Sequence, residues 1–170
     1  MAYEENRNDR LEELSGSSFE IAENQPDITD WEIFDASGDY IGDVEDLIFD
    51  CESYKVRYIV TDLDEPDTDN DRLVLIPIGL VTLQENEQEV ILTAAVAANV
   101  GFLPTYKKGQ ITPAHELQIR DVLTGNIAGN IAGRAYEQHP EDFYTHSHFD
   151  DKGYVKNPPG KDGLEPGQII

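Results

Sequence analysis

Carboxylates dominate the residues with spacing that could do chemistry. The stretch Asp62-Leu-Asp64-Glu-Pro-Asp67-Thr-Asp69-Asn-Asp71 concentrates hard oxygen ligands, and Asp67, Asp69 and Asp71 follow the alternating start of a calcium-binding loop. The remainder of such a loop is missing. Arg72 stands where the sharp turn requires glycine, and Ile78 stands where a bidentate carboxylate should close the coordination shell. No calcium site is expected here; instead Asp64, Asp67, Asp69 and Asp71 form a candidate loop for steering a charged partner.

A second constellation lies toward the C-terminus. His146-Ser-His148, with His139, Glu141, Asp142, Asp150 and Asp151 nearby in sequence, offers ligand types that suit zinc or nickel. Two histidines two residues apart can share one face of a strand, but no cysteine and no helical i, i+4 pair fixes a coordination geometry. No metal ligand is assigned, and a metal-responsive regulator using this His/Asp cluster is the alternative functional reading. His115, on the apolar side of a predicted helix, is expected to be a hydrogen-bonded packing residue.

Nucleophilic chemistry has less support. The single Cys51 follows Phe49 and Asp50 in a strand-like setting, cannot form an internal disulfide and has no partner base signalled in sequence. No G-x-S-x-G elbow and no phosphate-cradling glycine loop occurs. The tandem Gly125-Asn-Ile-Ala-Gly129-Asn-Ile-Ala-Gly133 has glycines every fourth residue, but Asn126 and Asn130 interrupt any apolar span. No catalytic, cofactor-binding or metal residue is therefore predicted, no cofactor is implied, and the chain is not expected to be an enzyme.

The elements that would position any site are short. The 170 residues suit one core of ordinary size. From Trp31 onward, apolar runs alternate with turn chemistry. Trp31-Glu-Ile-Phe34 and Tyr40-Ile-Gly-Asp-Val44 flank Asp35-Ala-Ser-Gly38-Asp39 and predict a hairpin. Leu47-Ile-Phe49, a polar turn at 50–53 and Lys55-Val-Arg-Tyr-Ile-Val-Thr61 predict a second. Arg72–Pro77 and Glu89–Leu92 complete a set of short strands at the spacing of a sandwich or barrel, and closure would remove exposed edges. Alternation predicts a core of Trp31, Ile33, Ile41, Val44, Leu47, Ile59, Val74, Ile76 and Ile91.

Ala94 to Val100 reads as a short helix. A clearer one starts with Thr112 as cap and Pro113 at the first helical position, then places His115, Ile119, Val122 and Leu123 on one side, with Gly125 as a stop. The predicted organisation is an acidic, partly ordered lead-in over 1–28, a β domain over 29–93, a helical extension packed on it over 94–134, and an irregular tail over 135–170, dispensable for folding.

Composition bounds the partners. With 35 acidic and 12 basic residues, the net charge of −23 repels phosphate backbones, so direct nucleic-acid binding is not expected. Residues 31–93 alone hold 17 of those acids and 3 of the bases. No apolar run reaches the roughly 20 residues that span a bilayer, and Met1-Ala-Tyr-Glu-Glu lacks the order of a signal peptide, so a cytoplasmic location without membrane insertion is expected.

The run from Trp31 through Gly38 and Gly42 to Asp50, then Lys55-Val-Arg-Tyr-Ile-Val60, then Leu73-Val-Leu-Ile-Pro77-Ile-Gly79, resembles the PRC-barrel family. That family includes the cytoplasmic domain of the photosynthetic reaction-centre H subunit and the C-terminal domain of a ribosome-maturation factor. The likeness covers about 29–93 and, more loosely, Leu103-Pro-Thr-Tyr106 and the helix containing Glu116. It implies a mainly β fold, a small PRC-barrel-like β-barrel with one or two C-terminal helices and irregular tails. It also implies a non-enzymatic module that binds another protein or a second copy of itself, and, as a further alternative, an accessory role in ribosome assembly. Neither a membrane segment like the H subunit's nor a preceding barrel domain like the maturation factor's is expected from this sequence, so the resemblance implies neither specific role.

Overall fold

A computed structural model describes residues 11–22, 25–51, 53–64, 72–123, 149 and 168–169. Its frame is a curled sheet in the order β6-β5-β4-β3-β8-β7. The strands are β1 (Leu11–Glu13), β2 (Glu20–Ile21), β3 (Glu32–Phe34), β4 (Tyr40–Asp50), β5 (Lys55–Leu63), β6 (Arg72–Pro77), β7 (Val81–Gln84), β8 (Glu89–Leu92) and β9 (Gln168–Ile169). Helix α1 spans Ala94–Asn99 and α2 spans Pro113–Leu123. The architecture is mainly β, as the strand pattern predicts, and β6 and β8 fall on the predicted residues.

The two predicted hairpins share one long strand. β4 pairs with β3 through its first residues, with β1 through its last, and with β5 along most of its length. At the first turn, Asp35 Oδ1 accepts hydrogen bonds from the amides of Ser37 (2.8 Å) and Asp39 (2.9 Å). Gly38 has φ +92°, a conformation that a side chain would strain. Gly42 serves a different need. A Cβ there would collide with the Asp62 carbonyl oxygen and stand 3.2 Å from Leu63 Cα, so only glycine lets β4 and β5 approach this closely.

Ile33, Val44, Leu47, Ile59, Val74 and Ile76 are fully buried, as predicted, together with Tyr58, Phe49, Ile48 and Leu75. Trp31, Ile41 and Ile91 are only partly buried, which corrects the predicted core. The register explains two of them. Ile33 pairs with Gly42 but Phe34 pairs with Tyr40, so Ile41 is the extra residue of a bulge. Ile91 shares a strand face with Glu89, on the outward side of the sheet.

The sheet does not close by strand pairing among the described residues; its order ends at β6 and β7. The β6 edge is instead covered by the segment after α1. The Tyr106 amide donates to the Leu73 carbonyl at 2.7 Å, and the Arg72 guanidinium donates to Thr105 Oγ1 at 3.2 Å, the Gly101 carbonyl at 3.1 Å and the Leu103 carbonyl. A covered edge cannot template pairing with another chain.

Both helices begin on threonine caps, with Thr93 Oγ1 accepting from the Val96 amide and Thr112 Oγ1 from the His115 amide. The buried face of α2 carries Leu117, Ile119 and Val122, and also two acids, Glu116 and Asp121. No described helix is long and apolar enough to cross a membrane.

The two ends contribute more than the predicted lead-in and tail. Leu11 is buried where β1 pairs with the end of β4, and β2 pairs in parallel with β9, where Ile169 is fully buried and its carbonyl accepts from the Ala22 amide at 2.9 Å. Phe149 is also buried, its ring edge-on to Tyr58 with centroids 5.3 Å apart. These contacts place Phe149 and Ile169, from the segment expected to be an irregular tail, against the core.

Candidate functional site

The buried ionisable groups tie elements together. Asp46 accepts from the Ser15 and Leu47 amides and from the Ser15 hydroxyl, which clamps the segment after β1 onto β4. Arg57 and Asp50 form an ion pair at 3.4 Å with almost no exposure. Tyr58 donates its hydroxyl to Glu116 at 3.0 Å, joining β5 to α2. Tyr106 donates to Glu13, which also accepts from the Gly109 amide. Burial first, then the Glu13 hydrogen bond and charge, push the Tyr106 hydroxyl well above its ordinary value. In each case a buried polar group has its partner in a different element, as a group bracing the fold should.

Cys51 behaves in the same passive way. Burial first and the neighbouring Glu12 charge next push its thiol up to about 11. At pH 8 roughly one such thiol in a thousand is ionised. Alkylation by iodoacetamide is therefore expected to be at least about fiftyfold slower than for free cysteine, with Glu12→Gln speeding it severalfold. A rate equal to that of free cysteine would contradict this environment.

His115 lies 6.0 Å from Tyr106, ring to ring. Burial lowers its pKa against the opposing pull of the Glu116 charge and the carbonyls of Pro104 and Gln110.

The outward face of the sheet has a different character. Glu89 on β8, Glu32 on β3 and Asp43 on β4 sit directly opposite one another in consecutive strands, and Asp62 on β5 continues the row. Directly opposed like charges are destabilising. Two residues further along β3 and β8 runs an apolar row. Ile91 pairs with Phe34, and Phe34 with Tyr40, whose ring meets Phe34 edge-on at 5.7 Å. Tyr40 is 42% exposed. Partial burial, a hydrogen bond to Asp43 and the charges of Asp43, Asp64 and Glu32 raise its hydroxyl to about 12.

Of the predicted steering loop, Asp64 is exposed, and its amide donates to the Ile41 carbonyl at 3.0 Å, which sets Asp64 beside the start of β4. Asp67, Asp69 and Asp71 lie outside the described residues, as do His139, Glu141, Asp142, His146, His148, Asp150 and Asp151. Among the described residues no group of three or more His, Cys, Asp or Glu is placed to hold a metal ion. The carboxylate row escapes sequence reasoning because its members are brought together by cross-strand register, a property of strand pairs that no single strand displays.

Comparison with curated proteins finds no match. Residues 20–100 match the sequence model of a known domain, and the match spans β2 through α1.

Proposed function

The chain belongs to the PRC-barrel family, whose domain model matches residues 20–100, and from that premise we propose that it works as a non-enzymatic binding or assembly module whose partner is a protein. The observation that carries this reading is the outward sheet face, where an apolar row of Ile91, Phe34 and Tyr40 runs beside the in-register carboxylates Glu89, Glu32 and Asp43. A solvated face has no need of an aromatic pair, and opposed carboxylates weaken the sheet that carries them. A bound partner that covers the apolar row and supplies counter-charge reverses both costs. PRC-barrel domains are in general non-catalytic, and the described buried acids and the thiol of this chain brace or fill the fold, which agrees with that role.

Asp64, whose charge reaches Tyr40, adds long-range attraction at the border of this face. Exposed charges steer encounter and are screened by salt, whereas desolvated apolar contacts govern residence time. The reading is tested by affinity capture from native extract at low and moderate salt, followed by cross-linking and mass spectrometry to locate the contact. The expected result is a partner enriched over an unrelated acidic protein, retained better at low salt and cross-linked to residues 29–93. No enriched partner, or cross-links confined to residues 135–170, would overturn it.

A further inference from the structure

Resting on that reading, the geometry of the outward face specifies its partner further. We infer that it receives a basic amphipathic helix of another protein, lying across the strands, with Lys or Arg at i, i+3 and i+7 against Glu89, Glu32 and Asp43 and an apolar stripe against Ile91, Phe34 and Tyr40.

The match is one of spacing. The three carboxylates occupy consecutive strands, so their row advances about 4.8 Å per step and about 9.6 Å in all. Along an α-helix, positions i, i+3 and i+7 lie at about 0, 4.5 and 10.5 Å. An extended segment crossing the strands places same-face residues about 6.8 Å apart, so after one contact the next overshoots its carboxylate. The apolar row lies parallel to the acidic row, two residues further along β3 and β8 and therefore about 6.8 Å away. A helix about 10 Å wide covers both rows when its apolar stripe adjoins its basic one.

Charge complementarity selects the occupant. A second copy of this face would set carboxylate against carboxylate, and the whole chain carries −23, so self-association through it is disfavoured. Nucleic acid is disfavoured by the same charge.

The test uses the full chain and two labelled synthetic peptides of equal composition. One carries Lys at i, i+3 and i+7 with Leu beside that stripe; the other alternates Lys and Leu in an extended pattern. Fluorescence anisotropy at low salt should show the helical pattern binding at least fivefold more tightly. Replacing Glu32 by Gln and Asp43 by Asn should weaken that binding about tenfold, while Glu12→Gln with Glu20→Gln, which removes the same charge from exposed positions on β1 and β2, should change it less than threefold. Phe34→Ser with Tyr40→Ser should also weaken it about tenfold.

The Glu32 and Asp43 replacements relieve repulsion, so that variant should melt no lower than the parent, which separates lost binding from lost folding. Equal binding of both peptides would mean that charge alone attracts them, and equal loss in the Glu12/Glu20 variant would mean that any acid serves; either result overturns the inference. A native partner that cross-links to the barrel away from Tyr40 would overturn this face while leaving the binding-module reading intact. Failure to find any barrel partner would remove both.

Discussion

Replacing Gly42 by alanine is expected to cost at least about 3 kcal/mol, a large share of the roughly 5–15 kcal/mol that holds a domain folded. The added methyl would meet backbone and not a pliable side chain. Besides the collision with the Asp62 carbonyl oxygen, it would stand 3.0 Å from the Asp62 carbonyl carbon. Relief requires β4 and β5, two inner strands of the sheet, to separate at the Gly42–Leu63 pair that begins their ladder. Opposing this, alanine loses less backbone entropy on folding than glycine, by roughly 0.5–1 kcal/mol, which is too small to compensate.

Gly101→Ala is the control, because a methyl added there would meet nothing within 4 Å and its φ is not positive. That change should be neutral or slightly stabilising. Urea titration measures both, and a Gly42→Ala midpoint equal to the parent's would show that the two strands do not need their close approach.

What made the frame legible in sequence was local consistency. Arg72-Leu-Val-Leu-Ile-Pro77 is β-branched and apolar, bounded by an acidic loop and a proline, and β6 forms on those residues. Thr112-Pro113 marks the start of α2 because a hydroxyl cap and a fixed φ act within one helical turn. The carboxylate row, in contrast, depends on which strand lies next to which, and β3 reaches β8 across a parallel pairing that no hairpin turn dictates.

Bulges are hidden for the same reason. The slip between Ile33 and Phe34 is a property of the pair, and it leaves Ile41 only partly buried, packed against the core. The buried acids Asp46, Glu116 and Asp121 escape a sequence reading because charge normally signals exposure; Asp46 is held by Ser15 and Glu116 by Tyr58, both far away along the chain. β1 is too short to show a period, and Leu11 is its only buried side chain.

Removing the chain after Arg134 is expected to destabilise the barrel by several kcal/mol, although residues 135–170 show no apolar period. The reason is that two side chains from this segment complete the core. Phe149 packs edge-on against Tyr58, a residue that is itself fully buried and hydrogen-bonded to Glu116. Loss of a buried phenylalanine ring costs about 3–5 kcal/mol, and an aromatic pair adds roughly 0.5–1.5 kcal/mol beyond buried area.

Water reaching the vacated site would also weaken the Tyr58–Glu116 contact that joins β5 to α2. Ile169 adds a second anchor, since β2 has its described strand partner in β9 and the Ala22 amide would lose the Ile169 carbonyl. Phe149→Ala alone should therefore lower the urea midpoint clearly, Ile169→Ala should lower it independently, and the truncated chain should fall below both, with α2 less protected from amide exchange than β4. A truncated chain with the parent's midpoint would show that Phe149 and Ile169 rest on a core already complete without them, and the barrel would then be self-sufficient within residues 1–134.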